Sequence, residues 1–251
     1  MTFNHKLPDT LNLLRSHTSI RKYKKEQIPI EVLKDILGSA QHAASSNFVQ
    51  AYSVVLVSDE EKKRKIGELS RNQPQINSAP VLLLFCVDMK RLEIACAQRD
   101  TSIQQQTTEN FIVGVVDTAL FAQNFVIAAE SQGYGICFIG GVRNNPEEIG
   151  KIVDLPDKTF PLFGMTVGVP DEEQLVKPRL PVEAILHENS YDIEKYEELI
   201  PEYDQTMLDY YKHRLTNNKE QDWSDTMSAF LSDKRRLHMK SYLKDKCFDL
   251  E

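Results

Sequence analysis

The chain has 251 residues, 41% of them hydrophobic and 27% charged, with 10 glycines and 11 prolines. That composition excludes disorder, collagen-like repeats and low complexity, and it bounds the fold to one large domain or one domain with an appendage. Thirty Lys and Arg against 37 Asp and Glu leave a formal net charge of -7, so attraction of the whole surface to nucleic acid or anionic lipid is disfavoured and any anion site has to be local.

Taken in chain order, the first ten residues lack the apolar run of a secretory signal. Helices are predicted over 10–16, over 30–42 behind Pro29, over 59–69 and, more polar, over 92–105. Strands are predicted over 53–57, 81–87, 135–139 and 162–169, from β-branched and aromatic runs bounded by Asp, Gly or Pro. The longest stretch free of Asp, Glu, Lys and Arg, residues 36–58, is broken by Gln41, His42, Ser45, Ser46, Asn47 and Gln50, so no membrane span is read and a cytoplasmic protein is expected. Residues 109–132 form the most apolar helix, with Phe111, Val115, Leu120, Phe121, Phe125 and Val126 leaving little polar face. Such a helix is expected to be buried on nearly every side, with a partner subunit as its natural cover. After Pro181 the chain turns charged and helical, more an extension than a second core.

Four cysteines, Cys86, Cys96, Cys137 and Cys247, form no CxxC pair, and no His/Cys cluster has metal-ligand spacing. Neither a zinc site nor a disulfide framework is expected, and Cys86 and Cys137 are read as small buried hydrophobes.

Four short segments carry chemistry. His17, Ser19 and Arg21 alternate along an extended stretch and place three donors on one side, an arrangement suited to an anion. The run Arg21-Lys22-Tyr23-Lys24-Lys25 equally suits a solvated basic surface. Ser45-Ser46-Asn47 with Gln50 is a polar loop after the second helix. Gly133, Gly135, Gly140 and Gly141 flank the third strand, where backbone has to approach something closely. This is neither a dinucleotide-binding GxGxxG nor a P-loop, because the glycine spacing and element order differ and no GK[ST] follows. In Lys177-Pro178-Arg179 the proline stiffens a pair of cations suited to a phosphate.

In this order, His17-x-Ser19-x-Arg21, Ser45-Ser46-Asn47, a Gln73 turn, Ile139-Gly140-Gly141-x-Arg143-Asn144 and Lys177-Pro178-Arg179-Leu180-Pro181 resemble the FMN-dependent nitroreductase/flavin reductase family, most closely its NADPH-preferring, NfrA-type branch. The resemblance covers nearly the whole chain. It implies an α+β fold with a central, mostly antiparallel sheet flanked by helices, a long interface helix, a C-terminal helical arm and a homodimer. Residues 1–181 would be the FMN-binding core and residues 182–251 an extension of the same domain. It further implies that His17, Ser19, Lys177 and Arg179 hold the FMN phosphate. Arg21 and Gln73 would meet the ribityl chain and pyrimidine edge, and Ile139, Gly140 and Gly141 would approach the ring through backbone. Ser45, Ser46, Asn47 and Gln50 would reach it from the other subunit. In the run Tyr210–Lys219, Arg214 matches the position that binds the NADPH 2′-phosphate, with Lys212 and Lys219 assisting. The turn Asn72-Gln73-Pro74-Gln75 lacks the glycine common before that glutamine, which leaves Gln75 as the alternative contact. The activity implied is two-electron, ping-pong hydride transfer from NADPH through FMN to nitroaromatics, flavins, quinones or related small acceptors, with no side-chain catalyst, no metal and no nucleic-acid or membrane partner. A flavin-binding storage or sensor protein is the alternative.

Overall fold

The computed structural model describes residues 9–104 and 107–248. The N-terminal residues 1–8, Gln105 at the end of one expected helix, and the last three residues of the expected helical arm lie outside the described residues. In chain order the elements are α1 (Asp9–Ser16), α2 (Ile30–Ala40), β1 (Tyr52–Val57), α3 (Glu60–Leu69), α4 (Pro74–Ser78), β2 (Val81–Asp88), α5 (Lys90–Ala97), α6 (Thr108–Ser131), β3 (Gly135–Ile139), α7 (Pro146–Ile152), β4 (Thr159–Gly168), α8 (Tyr196–His213), α9 (Trp223–Leu231) and α10 (Met239–Asp245). They group into two compact units, one running to Glu173 and resuming at Arg236, the other Gln174–Arg235.

The first unit is built on a four-stranded sheet of order β1-β2-β4-β3, with every neighbouring pair antiparallel. All eight residues of β2 are buried, and their alternation explains why. Val81, Leu83 and Phe85 point to a core shared with Leu33 and Ile36 of α2 and Phe121 and Phe125 of α6. Leu82, Leu84 and Cys86 point to a second core with Ile66 of α3, Ile76 of α4 and Ile149 of α7. A central antiparallel strand covered on both faces loses the usual apolar-polar alternation and reads as one continuous run. α10 returns to this unit, where Tyr242, Leu243 and Phe248 pack with Phe160, Val87 and Met89.

Most expected elements recur within a residue or two, and the departures have local causes. The expected 92–105 helix stops at Ala97, because Asp100 enters the left-handed region (φ 54°) and Thr101 turns its amide back onto the Cys96 carbonyl. β4 begins at Thr159, ahead of Pro161, and a register shift opposite Phe85 and Cys86 accommodates the proline. The segment 18–23, predicted only as extended, bridges Ser19 to Ile136 in parallel and Tyr23 to Pro170. Ile20 thereby seals the β3 edge.

α6 is 24 residues long, about 36 Å. By length and composition it would suffice to cross a bilayer, which corrects the reading that no segment of the chain would. Here it lies on the sheet, with Gly114, Asp117, Thr118, Phe121, Ala122, Phe125, Val126 and Ala129 buried. Burial on nearly every side is not what a single chain provides: Ile112, Val116 and Leu120 remain 48, 45 and 42% exposed along one stripe.

The second unit has a narrower core. Tyr203, Met207 and Tyr211, spaced four apart on α8, are buried with Leu180, Tyr210 and Trp223 against them. Phe230 and Leu231 of α9 face outward, as does Leu237 in the first unit.

Cys86 is fully buried, and burial, seconded by the Asp88 carboxylate, pushes its thiol up to about 12. Burial likewise raises the Cys137 thiol. All four cysteines are unpaired.

The approach of α6 to β2 depends on Gly114, where a Cβ would fall 2.5 Å from Val87 Cγ1. Alanine improves helix propensity by about 1 kcal/mol, but overpacking a buried β-branched neighbour costs about 1–3 kcal/mol. Gly114→Ala is therefore expected to lower the urea unfolding midpoint, by a net loss of about 1 kcal/mol. A midpoint at or above wild type would mean that Val87 repacks freely.

Candidate functional site

The loop between α2 and β1 is organised by one carboxylate. Asp117 is fully buried on α6. It accepts hydrogen bonds from Ser45 Oγ (2.7 Å), the Ser46 amide (3.0 Å) and the Ala51 amide (3.1 Å). Ser45 Oγ in turn accepts the Gln50 amide at 2.7 Å. Between these anchors Asn47, Phe48 and Gln50 all adopt positive φ, at 46, 61 and 55°. Left-handed backbone at non-glycine residues costs about 1–3 kcal/mol each, and a charged acceptor with three partners offsets such strain. The result is a fixed polar loop with the Phe48 ring 81% exposed at its tip.

The His17–Arg21 segment lies along β3. His17 Nδ1 is 2.6 Å from the Glu130 carboxylate of α6, and the Ile20 amide donates to the Ile136 carbonyl. The Glu172 carboxylate accepts the Arg21 and Lys22 amides at 2.6 and 3.1 Å. Arg21 is exposed, its guanidinium donating to the Ser19 carbonyl (3.3 Å). Ile20 and Tyr23 point inward, with Tyr23 Oη bonded to Thr166 Oγ1 (2.8 Å). The alternation thus leaves donors on the outer side and hydrocarbon beneath them.

β3 runs into a 3-10 turn, Gly140–Asn144. A Cβ at Gly141 would lie 2.5 Å from Gln73 Nε2 and 2.7 Å from the Ser70 carbonyl, and one at Gly140 would lie 3.4 Å from the Arg143 guanidinium. Gln73 and the Gly-Gly turn therefore meet. Arg71 and Asn72 take positive φ (65 and 50°) in the preceding turn, so a left-handed conformation that favours glycine is adopted here by two other residues. Gln75 is buried and donates its amide to Gln73 Oε1 at 2.7 Å, which leaves Gln73 as the glutamine beside Gly141. Arg143 donates to the Leu162 carbonyl, and burial followed by the Arg236 guanidinium lowers its pKa. Arg236 is held by Asn144 Oδ1 at 3.0 Å.

In the second unit, Arg179 donates to the Lys177 carbonyl (2.6 Å), so the Lys-Pro-Arg turn is internally braced. Arg214 caps the C-terminal end of α8 in extended conformation and donates to the Asn217 carbonyl. Lys219 Nζ bonds Thr226 Oγ1 at 2.8 Å. Lys212 is exposed, and only its carbonyl is engaged, by Asn218 Nδ2 (2.7 Å).

The first unit thus brings together His17, Ser19 and Arg21 with the strand leading to Ile139, and Gln73 with Gly141. The second carries Lys177, Arg179, Arg214, Lys212 and Lys219. Asp117, Glu130, Glu172, Arg236 and Tyr211 escaped the sequence reading. Only Asp117 had a clear signal, as the sole charge between Phe111 and Ala129.

A four-stranded antiparallel sheet backed by one long apolar helix, with a Gly-Gly turn after β3 and the His17–Arg21 segment along that strand, defines an α+β protein of the nitroreductase-like fold. The chain belongs to the nitroreductase family: the Nitroreductase family model matches residues 14–169 and the model of the family's C-terminal domain matches residues 177–251. It is 52% identical to a Cr(VI) reductase of Pseudomonas sp. (strain G-1), over 94% of this chain and 98% of the relative. It is 38% identical to an FMN reductase (NADPH) of Bacillus subtilis (strain 168), over 96 and 98%. Among solved structures it is similar to NfrA1 nitroreductase from B. subtilis, with a TM-score of 0.91, 38% identity and coverage of 96 and 99%. It is also similar to the NADPH:FMN oxidoreductase from Vibrio harveyi complexed with NAD+, with a TM-score of 0.88, 34% identity and coverage of 97 and 100%.

Removing the Asp117 carboxylate leaves the buried Ala51 amide without an acceptor, at about 1–3 kcal/mol, and takes the same acceptor from the part-buried Ser45 hydroxyl and Ser46 amide. Asp117→Ala is expected to lower stability by about 3 kcal/mol and to speed amide hydrogen exchange at Ser46 and Ala51 far more than in β2. Unchanged exchange at those two amides would show that the loop stands without it.

Proposed function

We propose that this protein is an NADPH-dependent FMN oxidoreductase that passes two electrons, by ping-pong hydride transfer, to nitroaromatics, flavins, quinones or related small acceptors, as a homodimer in the cytoplasm. The observation that carries the reading is the pairing of the Ser19–Arg21 donor segment with β3, whose far end opens into Gly140-Gly141 beside Gln73. Phosphate-directed donors and a stretch of bare backbone on one strand suit a phosphorylated ring system that needs an anion clamp at one end and close approach at the other. The residues fit FMN in chemistry as well, since the donors are hydroxyl, imidazole and guanidinium groups on an exposed edge.

When bound, FMN supplies the hydride-accepting and hydride-donating ring. The chain's own part is position and charge. His17, Ser19, Lys177 and Arg179 hold the phosphate, with Glu130 fixing the His17 ring through Nδ1. Arg21 and Gln73 address the ribityl chain and pyrimidine edge, and Gln73 rather than Gln75 takes that role because Gln75 is buried behind it. Ile139, Gly140 and Gly141 present backbone without a Cβ in the way. Ser45, Ser46, Asn47 and Gln50 serve the partner's cofactor, on the loop that Asp117 holds outward. The Ile112, Val116 and Leu120 stripe and the exposed Phe48 ring support the dimer, since single soluble chains rarely expose such apolar patches without a partner. Arg214 and Lys219 take the NADPH 2′-phosphate, with Lys212 at its margin. The relative named Cr(VI) reductase makes chromate an acceptor to include beside the organic ones.

Anaerobic mixing of the FMN-loaded protein with NADPH is expected to bleach the flavin absorbance within the mixing time, whereas a storage or sensor protein would keep its colour. Losing a charge-assisted hydrogen bond costs about 1.5–3 kcal/mol, so Arg214→Ala is expected to raise KM for NADPH by roughly tenfold or more and to leave KM for NADH within twofold. An equal effect on both would remove the 2′-phosphate from Arg214. Sedimentation at micromolar concentration is expected to give a dimer, and a strict monomer would count against the shared site.

A further inference from the structure

Three cations surround one aromatic ring in the second unit. Lys219 Nζ lies 4.1 Å, the Arg214 guanidinium carbon 4.8 Å and Lys177 Nζ 5.3 Å from the centroid of the Tyr211 ring. The ring itself is 3% exposed, packed among Tyr203, Met207 and Trp223. Because all three charges refer to one centre, no two of them are separated by more than about 10 Å, roughly one screening length at 0.1 M salt, and their fields add.

No carboxylate among the described residues pairs with any of the three. Of the acids nearby, Asp204 accepts the Ser224 amide at 2.8 Å, Asp222 the Asp225 amide at 2.7 Å and Asp209 the Gln205 side-chain amide at 3.1 Å. Arg214 Nε is buried and has no hydrogen-bond partner, although a buried donor is ordinarily satisfied. A gathering of like charges with an unsatisfied donor is unfavourable alone and favourable around an anion. The face of a buried aromatic ring supplies a modest attraction to each cation without neutralising it.

Building on the reading that Arg214 meets the NADPH 2′-phosphate, we infer that Tyr211 is the positioning residue of that site: its ring gathers Arg214 and Lys219 into one pair that a phosphate monoester dianion completes. The ring, not the hydroxyl, does the positioning. Lys177, assigned above to the FMN phosphate, borders the pair at 5.3 Å from the ring without belonging to it. NADPH is thereby preferred over NADH, because only the former brings the charge that relieves the mutual repulsion.

The test is calorimetric binding of adenosine 2′,5′-bisphosphate and adenosine 5′-phosphate to the FMN-loaded enzyme, which reads the 2′-phosphate increment without turnover. Tyr211→Leu is expected to reduce that increment about tenfold and to raise KM for NADPH with kcat within twofold, while Tyr211→Phe keeps both near wild type. Since leucine at a buried position risks misfolding, phenylalanine with one, two and three ring fluorines at position 211 preserves shape while weakening the ring's negative face. Affinity for the bisphosphate is expected to fall stepwise along that series and affinity for the monophosphate to stay constant. A flat fluorine series, or a Tyr211→Phe enzyme as impaired as Tyr211→Leu, would overturn the role of the ring even if Arg214→Ala still loses the increment. Retention of the increment in Arg214→Ala would instead overturn the 2′-phosphate assignment on which the inference rests.

Discussion

The Asp117 carboxylate is the interaction on which the site side of the first unit depends. It is the only ionised group in the apolar stretch of α6, and it lies beneath a loop that runs against backbone preference at three positions. An unpaired carboxylate in such a place is prohibitively unfavourable, so the helix is stable there only when the loop closes over it. The loop in turn holds its left-handed residues only while the carboxylate accepts its amides. Helix and loop are thus conditional on each other, and the polar groups of residues 45–50 are set by the packing of the core rather than by their own sequence.

A similar dependence links the sheet to the donor segment. β3 would be an open edge, a recognised liability, were it not covered by Ile20 and its neighbours. Covering it fixes the alternation of His17, Ser19 and Arg21, because burial of Ile20 obliges the residues on either side to face outward. Glu130 and Glu172 then tie the two ends of the segment, the first to the long helix and the second to the chain that leaves β4.

Much of this was legible in the residues. The strands were visible because β-branched and aromatic runs end at Gly, Pro or Asp, and α6 because no other segment is so apolar. The Gly140-Gly141 turn stood out as backbone without side chains between a strand and a proline-opened helix. What was not legible depended on distant contacts. That Gln75 lies behind Gln73 follows from how α4 packs, and the halt of α5 at Ala97 follows from a left-handed Asp100 that propensity does not foretell. That Lys177 borders the ring shared by Arg214 and Lys219, about forty positions away, is something spacing along a chain cannot disclose. Asp117 was visible as a lone charge, but its partners were not.

The thiols in the sheet have a consequence for an enzyme that handles reducing equivalents near oxygen. Peroxide attacks sulfur as the thiolate, and Cys86, enclosed between two layers of hydrocarbon, stays protonated at any physiological acidity. Cys137, on the neighbouring part of the sheet, is shifted in the same direction by the same enclosure. The sulfur inside the sheet is therefore chemically quiet toward peroxide, and oxidation is left to the half-buried Cys96 and Cys247.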